Sequence, residues 1–211
     1  MFSKSKFVFA GALAALMTVG AGAAMASTLT FGSYVTTTDN GGAFPTPVVK
    51  ITDDTTAGFL TFSIGSAGAS GNLSGVFFDV GGNSVSESDI VMESISIANF
   101  GTNTGNVGGG VNMNGGYTDG TSNPTFDFGI RITQTDVSST PFTFKIASSV
   151  FGLSDIGRGG FRFQTVSGTG VTQDSAKVLG GASVSAVPLP AAGLLLIAAL
   201  GGLGAMRRRK S

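Results

Sequence analysis

Apolar and polar residues alternate with period two along much of this chain. Phe126, Phe128, Ile130 and Ile132 fall on one side of such a pattern, and Asp127, Gly129, Arg131 and Thr133 on the other. A strand with one buried and one wet face produces this order. Phe142, Phe144 and Ile146 alternate with Thr143 and Lys145, and Phe161 and Phe163 with Arg162 and Gln164. Leu60, Phe62 and Ile64 form another stripe, and Ile95 with Ile97 a shorter one. Residues 29–35, 47–51, 76–80 and 177–184 also read as strands. Stretches rich in Gly, Asn and Asp separate them, at 39–42, 65–71, 81–83, 101–116 and 157–160, and read as turns and loops. About eight to ten short strands at this spacing, with no long helical period, predict an all-β body, a β-sandwich of jelly-roll type. Ser86-Glu87-Ser88-Asp89 before Ile90-Val91-Met92 supplies capping chemistry for one short helical turn.

The two ends break the pattern. Residues 1–6 carry Lys4 and Lys6, residues 7–19 are uncharged and apolar, and Ala24-Met25-Ala26 places small residues at Ala24 and Ala26, the −3 and −1 positions of a cleavage site. This is the layout of a secretory signal peptide over 1–26, with Ser27 opening the mature chain. An uncleaved anchor is the alternative, but the apolar run is short for a span and a cleavage site follows it. At the other end, Leu189 to Met206 are 18 residues without charge. As a helix rising ~1.5 Å per residue they cover most of a ~30 Å hydrocarbon layer. Arg207, Arg208, Arg209 and Lys210 follow and would hold that end on the cytoplasmic side.

Val187-Pro188-Leu189-Pro190-Ala191 opens the apolar run. The motif, the span and the basic end, in that order over 187–211, resemble the PEP-CTERM class of bacterial sorting signals in its VPLPA variant. That resemblance implies cutting near the motif by a membrane peptidase of the exosortase type and delivery to the cell surface or extracellular matrix. The two prolines lack amide hydrogens and disfavour helix in the residue before each. Extended chain is therefore expected where the helix begins, in a form a peptidase can bind. A plain single-pass anchor whose prolines cap the helix is the alternative. In the body, Gly75-Val76-Phe77-Phe78-Asp79-Val80, the Gly-Asn run 108–116 and Phe126-Asp127-Phe128-Gly129-Ile130 resemble uncharacterised surface proteins that end in such signals. This implies a shared sandwich and no activity.

The expected domains are thus 1–26, 27–186 and 187–211. Charge then reads differently from its total. The chain has 12 bases and 12 acids, but the body 27–186 keeps all the acids and only Lys50, Arg131, Lys145, Arg158, Arg162 and Lys177, a net charge of −6. That disfavours nucleic acid as a partner. The chain has no His, Cys or Trp, which excludes His- or Cys-dependent nucleophile systems, ordinary zinc sites and disulfides. Charged residues are 11% of the chain, below the usual quarter, so hydroxyls and amides must solvate the surface.

Candidate chemistry is sparse. Asn112, Asn114 and Asp119 lie among glycines, and oxygen ligands on such a loop, joined by Asp79 or Asp127 if the fold brings one near, suit Ca²⁺. The plainer reading is an exposed loop with Asn and Gly in left-handed turns. No other cofactor is implied. Tyr117, beside those asparagines, is the candidate stacking ring for a sugar. The reading that results is an exported, non-enzymatic surface or matrix protein, membrane-held before processing. Its partners would be the translocon, signal peptidase, an exosortase-type peptidase and extracellular polysaccharide. A surface carbohydrate-binding module, assisted by Ca²⁺, is the second reading. A carboxylate-dependent hydrolase is the third, resting only on acids scattered along the body.

Overall fold

A computed structural model describes residues 27–38, 42–54, 57–93 and 95–184. The expected signal cleavage site at Ala24 and Ala26, the motif Val187 to Ala191, the apolar span and Arg207 to Lys210 all lie outside the described residues. Among the described residues no helix is long and apolar enough to cross a membrane.

The body is all-β. Its strands are β1 (Ser27–Thr36), β2 (Pro45–Asp54), β3 (Phe59–Gly68), β4 (Ser70–Phe78), β5 (Ile90–Met92), β6 (Ile97–Thr104), β7 (Phe126–Asp136), β8 (Phe142–Ala147), β9 (Arg158–Ser167) and β10 (Ser175–Val184). All pairs are antiparallel. Hydrogen bonds join them into one sheet in the order β5-β8-β3-β2-β1-β10-β9-β4-β7-β6. The expected jelly roll has two separate sheets; here β1 and β10 pair with each other and link the two halves.

The sheet curls over on itself. Its two edge strands, β5 and β6, are neighbours in sequence, joined by residues 93–96. Five residue steps at ~3.3–3.6 Å each cannot separate those edges by more than about 18 Å. The interior agrees. Phe62 of β3 and Phe78 of β4 stand five places apart in the strand order, yet their ring centroids are 5.2 Å apart. Phe62 also stacks on Phe144 of β8 at 4.5 Å and 11°. The alternating apolar faces of both halves fill this enclosed core, with Leu60, Ile64, Val76, Phe128, Ile130, Phe161 and Phe163 fully shielded. Burying such side chains is the main force closing the sheet.

Three local expectations are corrected. Residues 157–160 do not form a turn: Gly159 and Gly160 lie inside β9. A Cβ on Gly159 would sit 2.8 Å from Phe31 and one on Gly160 2.8 Å from Phe126, so these glycines provide room and not curvature. Residues 65–71 stay extended apart from a corner at Gly68, where φ is +83° and the chain leaves one half of the sheet for the other. Phe126 does not share a face with Phe128, Ile130 and Ile132 in the main core; it joins a separate cluster, because the alternation fails at the first residue of β7. The short helical turn forms at Glu87–Asp89, where the Ser86 amide and hydroxyl both donate to Asp89 Oδ2, at 2.8 and 2.6 Å. Ile90–Met92 then continues as strand.

Candidate functional site

The Gly-rich segment between β6 and β7 covers the outer face of the sheet. Phe77 and Leu179 point away from the main core, as their neighbours Phe78 and Val178 point into it. Val107, Val111, Met113, Tyr117 and Phe126 pack on them as a second apolar cluster. Glycines in the strands make the approach possible. A Cβ on Gly75 would meet Val111 at 2.3 Å, and one on Gly129 would meet Phe77 at 2.5 Å. Two backbone bonds, Thr38 N to Gly116 O at 2.9 Å and Thr118 N to Thr36 O at 3.0 Å, and one from a side chain, Asn99 Nδ2 to Val107 O at 2.7 Å, sew the segment down. The long exposed loop expected here is thus a folded cover over a greasy floor.

This placement decides what the candidate residues do. Tyr117 is 2% exposed and its hydroxyl donates to Met113 O at 2.8 Å. A stacking platform needs a ring face in water, and Tyr117 has none to give. Tyr34 is half-buried, its hydroxyl donates to Phe31 O at 3.3 Å, and burial pushes its phenol up to about 12. Asn112 Oδ1 accepts the Asn114 amide at 3.1 Å, and Asp119 Oδ1 accepts the Thr121 amide at 2.9 Å. These are local turn bonds. The Thr121 amide also holds the Asp119 carboxyl below its usual range. The Asn114 carbonyl accepts the Lys177 ammonium, which sets a positive charge where a calcium ion would seek an oxygen. Among the described residues no three carboxylates gather as metal ligands.

One polar constellation was not legible in the sequence. Arg158 Nε donates to Asp79 Oδ2 at 2.9 Å and Arg158 Nη2 to Thr125 O at 3.0 Å, while the guanidinium lies 4.9 Å over the Phe126 ring. Burial pushes the Asp79 carboxyl above its usual value, more than the Arg158 guanidinium draws it down. Asp127 Oδ2 accepts the amides of Val80 at 2.6 Å and Gly82 at 2.9 Å, holding the tight turn after β4. Both carboxylates are thereby engaged in fastening β4, β7 and β9 together. The residues are 79, 127 and 158, and no local spacing signals that they meet.

Two clefts adjoin this network. One of about 260 Å³ includes Ser33, Asp119, Arg158 and Gly180; another of about 220 Å³ includes Asn83, Thr102, Asn103 and Asp127. Both are below the ~300 Å³ at which pockets begin to enclose a small ligand. No protein-family model, curated protein or solved structure matches this chain. The clamp's role is testable: Asp127→Ala removes the acceptor of two backbone amides and is expected to cost ~1–3 kcal/mol, read as a lower urea midpoint. A midpoint unchanged within error would assign those amides to water.

Proposed function

We propose that this chain is an exported, non-enzymatic surface or matrix protein, held at the inner membrane of a bacterial cell by its C-terminal signal and then released to the surface by an exosortase-type peptidase. The observation carrying this reading is the order of parts in the sequence: Val187-Pro188-Leu189-Pro190-Ala191, an uncharged run, then Arg207-Arg208-Arg209-Lys210. The body lends support. The two clefts beside the clamp are small, and the outward positions of β2, β3 and β8 include Thr46, Thr52, Thr61, Ser63 and Thr143. A hydroxyl surface over a phenylalanine core suits a body that works among hydrated polymers, its two packed halves serving as the layers of a sandwich. The partners are the translocon, signal peptidase, the exosortase-type enzyme and extracellular polysaccharide.

The intact mass of the protein recovered outside the cells tests this. The expected species lacks residues 1–26 and the basic end from Arg207 to Lys210. A surface product that retains Arg207 to Lys210 refutes the processing.

A further inference from the structure

β1 opens at Ser27, the residue that the expected cleavage after Ala26 would make the first of the mature chain. Register places it directly opposite Asp53 on β2. Both side chains take the core-facing side of the sheet, because Leu29 and Ile51, two places along each strand, are fully shielded and side chains repeat with period two. On its other flank Asp53 faces Leu60 of β3, which is also fully shielded. An acid thus stands at the end of an apolar ladder.

Asp53 is poorly served there. Its Oδ1 is shielded from water and accepts no hydrogen bond. Among the described residues no base lies at ion-pair distance from it. Other acids of the body are occupied: Asp79 holds Arg158, Asp127 accepts two amides, Asp54 Oδ1 accepts the Ala57 amide at 3.0 Å and Asp155 Oδ2 the Gly152 amide at 2.8 Å. A shielded acceptor left empty costs free energy and calls for a cause. The peptide N–H at Ser27 offers one donor, whereas a free terminus at the same nitrogen offers three donors and a positive charge.

We infer that Asp53 is the built-in receptor for the amino terminus that signal-peptide cleavage creates, so that processing completes the fold. Hydrolysis of the Ala26–Ser27 bond adds the oxygen of one water to the Ala26 carbonyl carbon and its two hydrogens to the Ser27 nitrogen. Ala26 leaves as a carboxylate with residues 1–26, and Ser27 keeps an ammonium. That ammonium is one bond of ~1.46 Å from the Ser27 Cα. Directly opposed residues have Cβ atoms ~4.5–5.5 Å apart, which brings the new cation within reach of Asp53 Oδ1. The precursor lacks this pair and is the less stable form. The inference rests on the exported-protein reading for the cleavage, and on register and burial for the receptor.

The test is a cycle of urea unfolding on the mature secreted protein, with its terminus free or acetylated at the α-amine, which reacts ahead of the lysines at about pH 6.5. The acetyl group restores an amide at Ser27, as in the precursor. Acetylation is expected to raise the unfolding equilibrium constant about tenfold, the scale of one hydrogen bond between charged groups. Asp53→Asn is expected to cost the free form a similar factor, and acetylating that variant to add nothing further. Asp54→Asn, one residue on and exposed on the other face, should leave the acetylation effect intact.

Titration of the Ser27 amine needs no variant. The pair lifts it above the usual ~7.7–8.0 of a chain terminus. Its stabilisation is then whole below about pH 7.7 and is lost as pH rises through the lifted value, where free and acetylated midpoints meet. The charged groups nearby are Asp54, outward on β2, and Asp155, on the turn Leu153–Asp155 packed against β1 and β2; Lys50 and Lys145 leave the outer face. No acetylation effect, or an equal effect in wild type and Asp53→Asn, overturns the inference and assigns Oδ1 to water. Loss of the effect in Asp54→Asn, or an amine that titrates at the usual value, overturns it too. A mass showing a first residue other than Ser27 refutes the cleavage, whereas a chain that opens at Ser27 and is indifferent to acetylation refutes the receptor alone.

Discussion

Phe78→Ala is expected to lower the free energy of unfolding by ~3–5 kcal/mol, a large part of the ~5–15 kcal/mol that holds an ordinary domain together. Phe78 is fully buried, and its ring lies 5.9 Å from Phe31, 5.2 Å from Phe62, 5.7 Å from Phe128, 6.4 Å from Phe144 and 6.0 Å from Phe161. Those partners come from β1, β3, β7, β8 and β9, so this one ring touches both halves of the curled sheet. Deleting it leaves a cavity that strands fixed by their ladders cannot collapse to fill. The urea midpoint should fall with an unchanged slope, whereas Val48→Ala, at a site 56% exposed, should stay within ~0.5 kcal/mol of the parent. A loss at Phe78 no larger than that at Val48 would mean the two halves do not close over a shared core.

Tyr117→Ala is expected to act almost as strongly but locally, releasing the segment over residues 105–125 while the sheet beneath persists. Its ring is the largest in the outer cluster, and it is packed with Phe77, Val107, Val111, Met113, Phe126 and Leu179. Truncating a buried aromatic of this size costs ~3–5 kcal/mol, and a small satellite cluster has less to lose than the main core. Amide exchange at Val107, Val111 and Met113, whose N–H groups bond within the segment at 3.0, 3.0 and 2.7 Å, should accelerate far more than exchange at β3 and β4. Tyr117→Phe keeps the ring and removes the hydroxyl that donates to Met113 O, for ~1 kcal/mol. Uniform acceleration across β3 and β4 would show that cover and sheet unfold as one unit.

Much of the strand content was legible because period-two alternation is a local signal. Phe142, Phe144 and Ile146, or Leu60, Phe62 and Ile64, show their buried face without reference to any partner strand. Glycine was the weak point. The residue that opens a turn at Gly81 and Gly82, with φ of +68° and +75°, is also the residue that makes room inside a strand at Gly75, Gly129 and Gly160. Sequence cannot tell the need for positive φ from the need for no Cβ. The same ambiguity hid the cover: of residues 101–116, Gly101 to Thr104 belong to β6, and the rest look like a solvated loop until Phe77 and Leu179 are seen to need a roof.

By itself the sequence determined that the body is all-β, cored by phenylalanine, acidic and free of thiol and imidazole chemistry, since alternation and composition need no partner to be read. Only the tertiary structure decided that one sheet curls nearly shut, that Tyr117 is interior, that Asp79, Asp127 and Arg158 form a clamp, and that Asp53 stands opposite Ser27. Each of those facts is a matter of strand order and register, which bring together residues far apart in the chain and leave no mark on the local pattern of either.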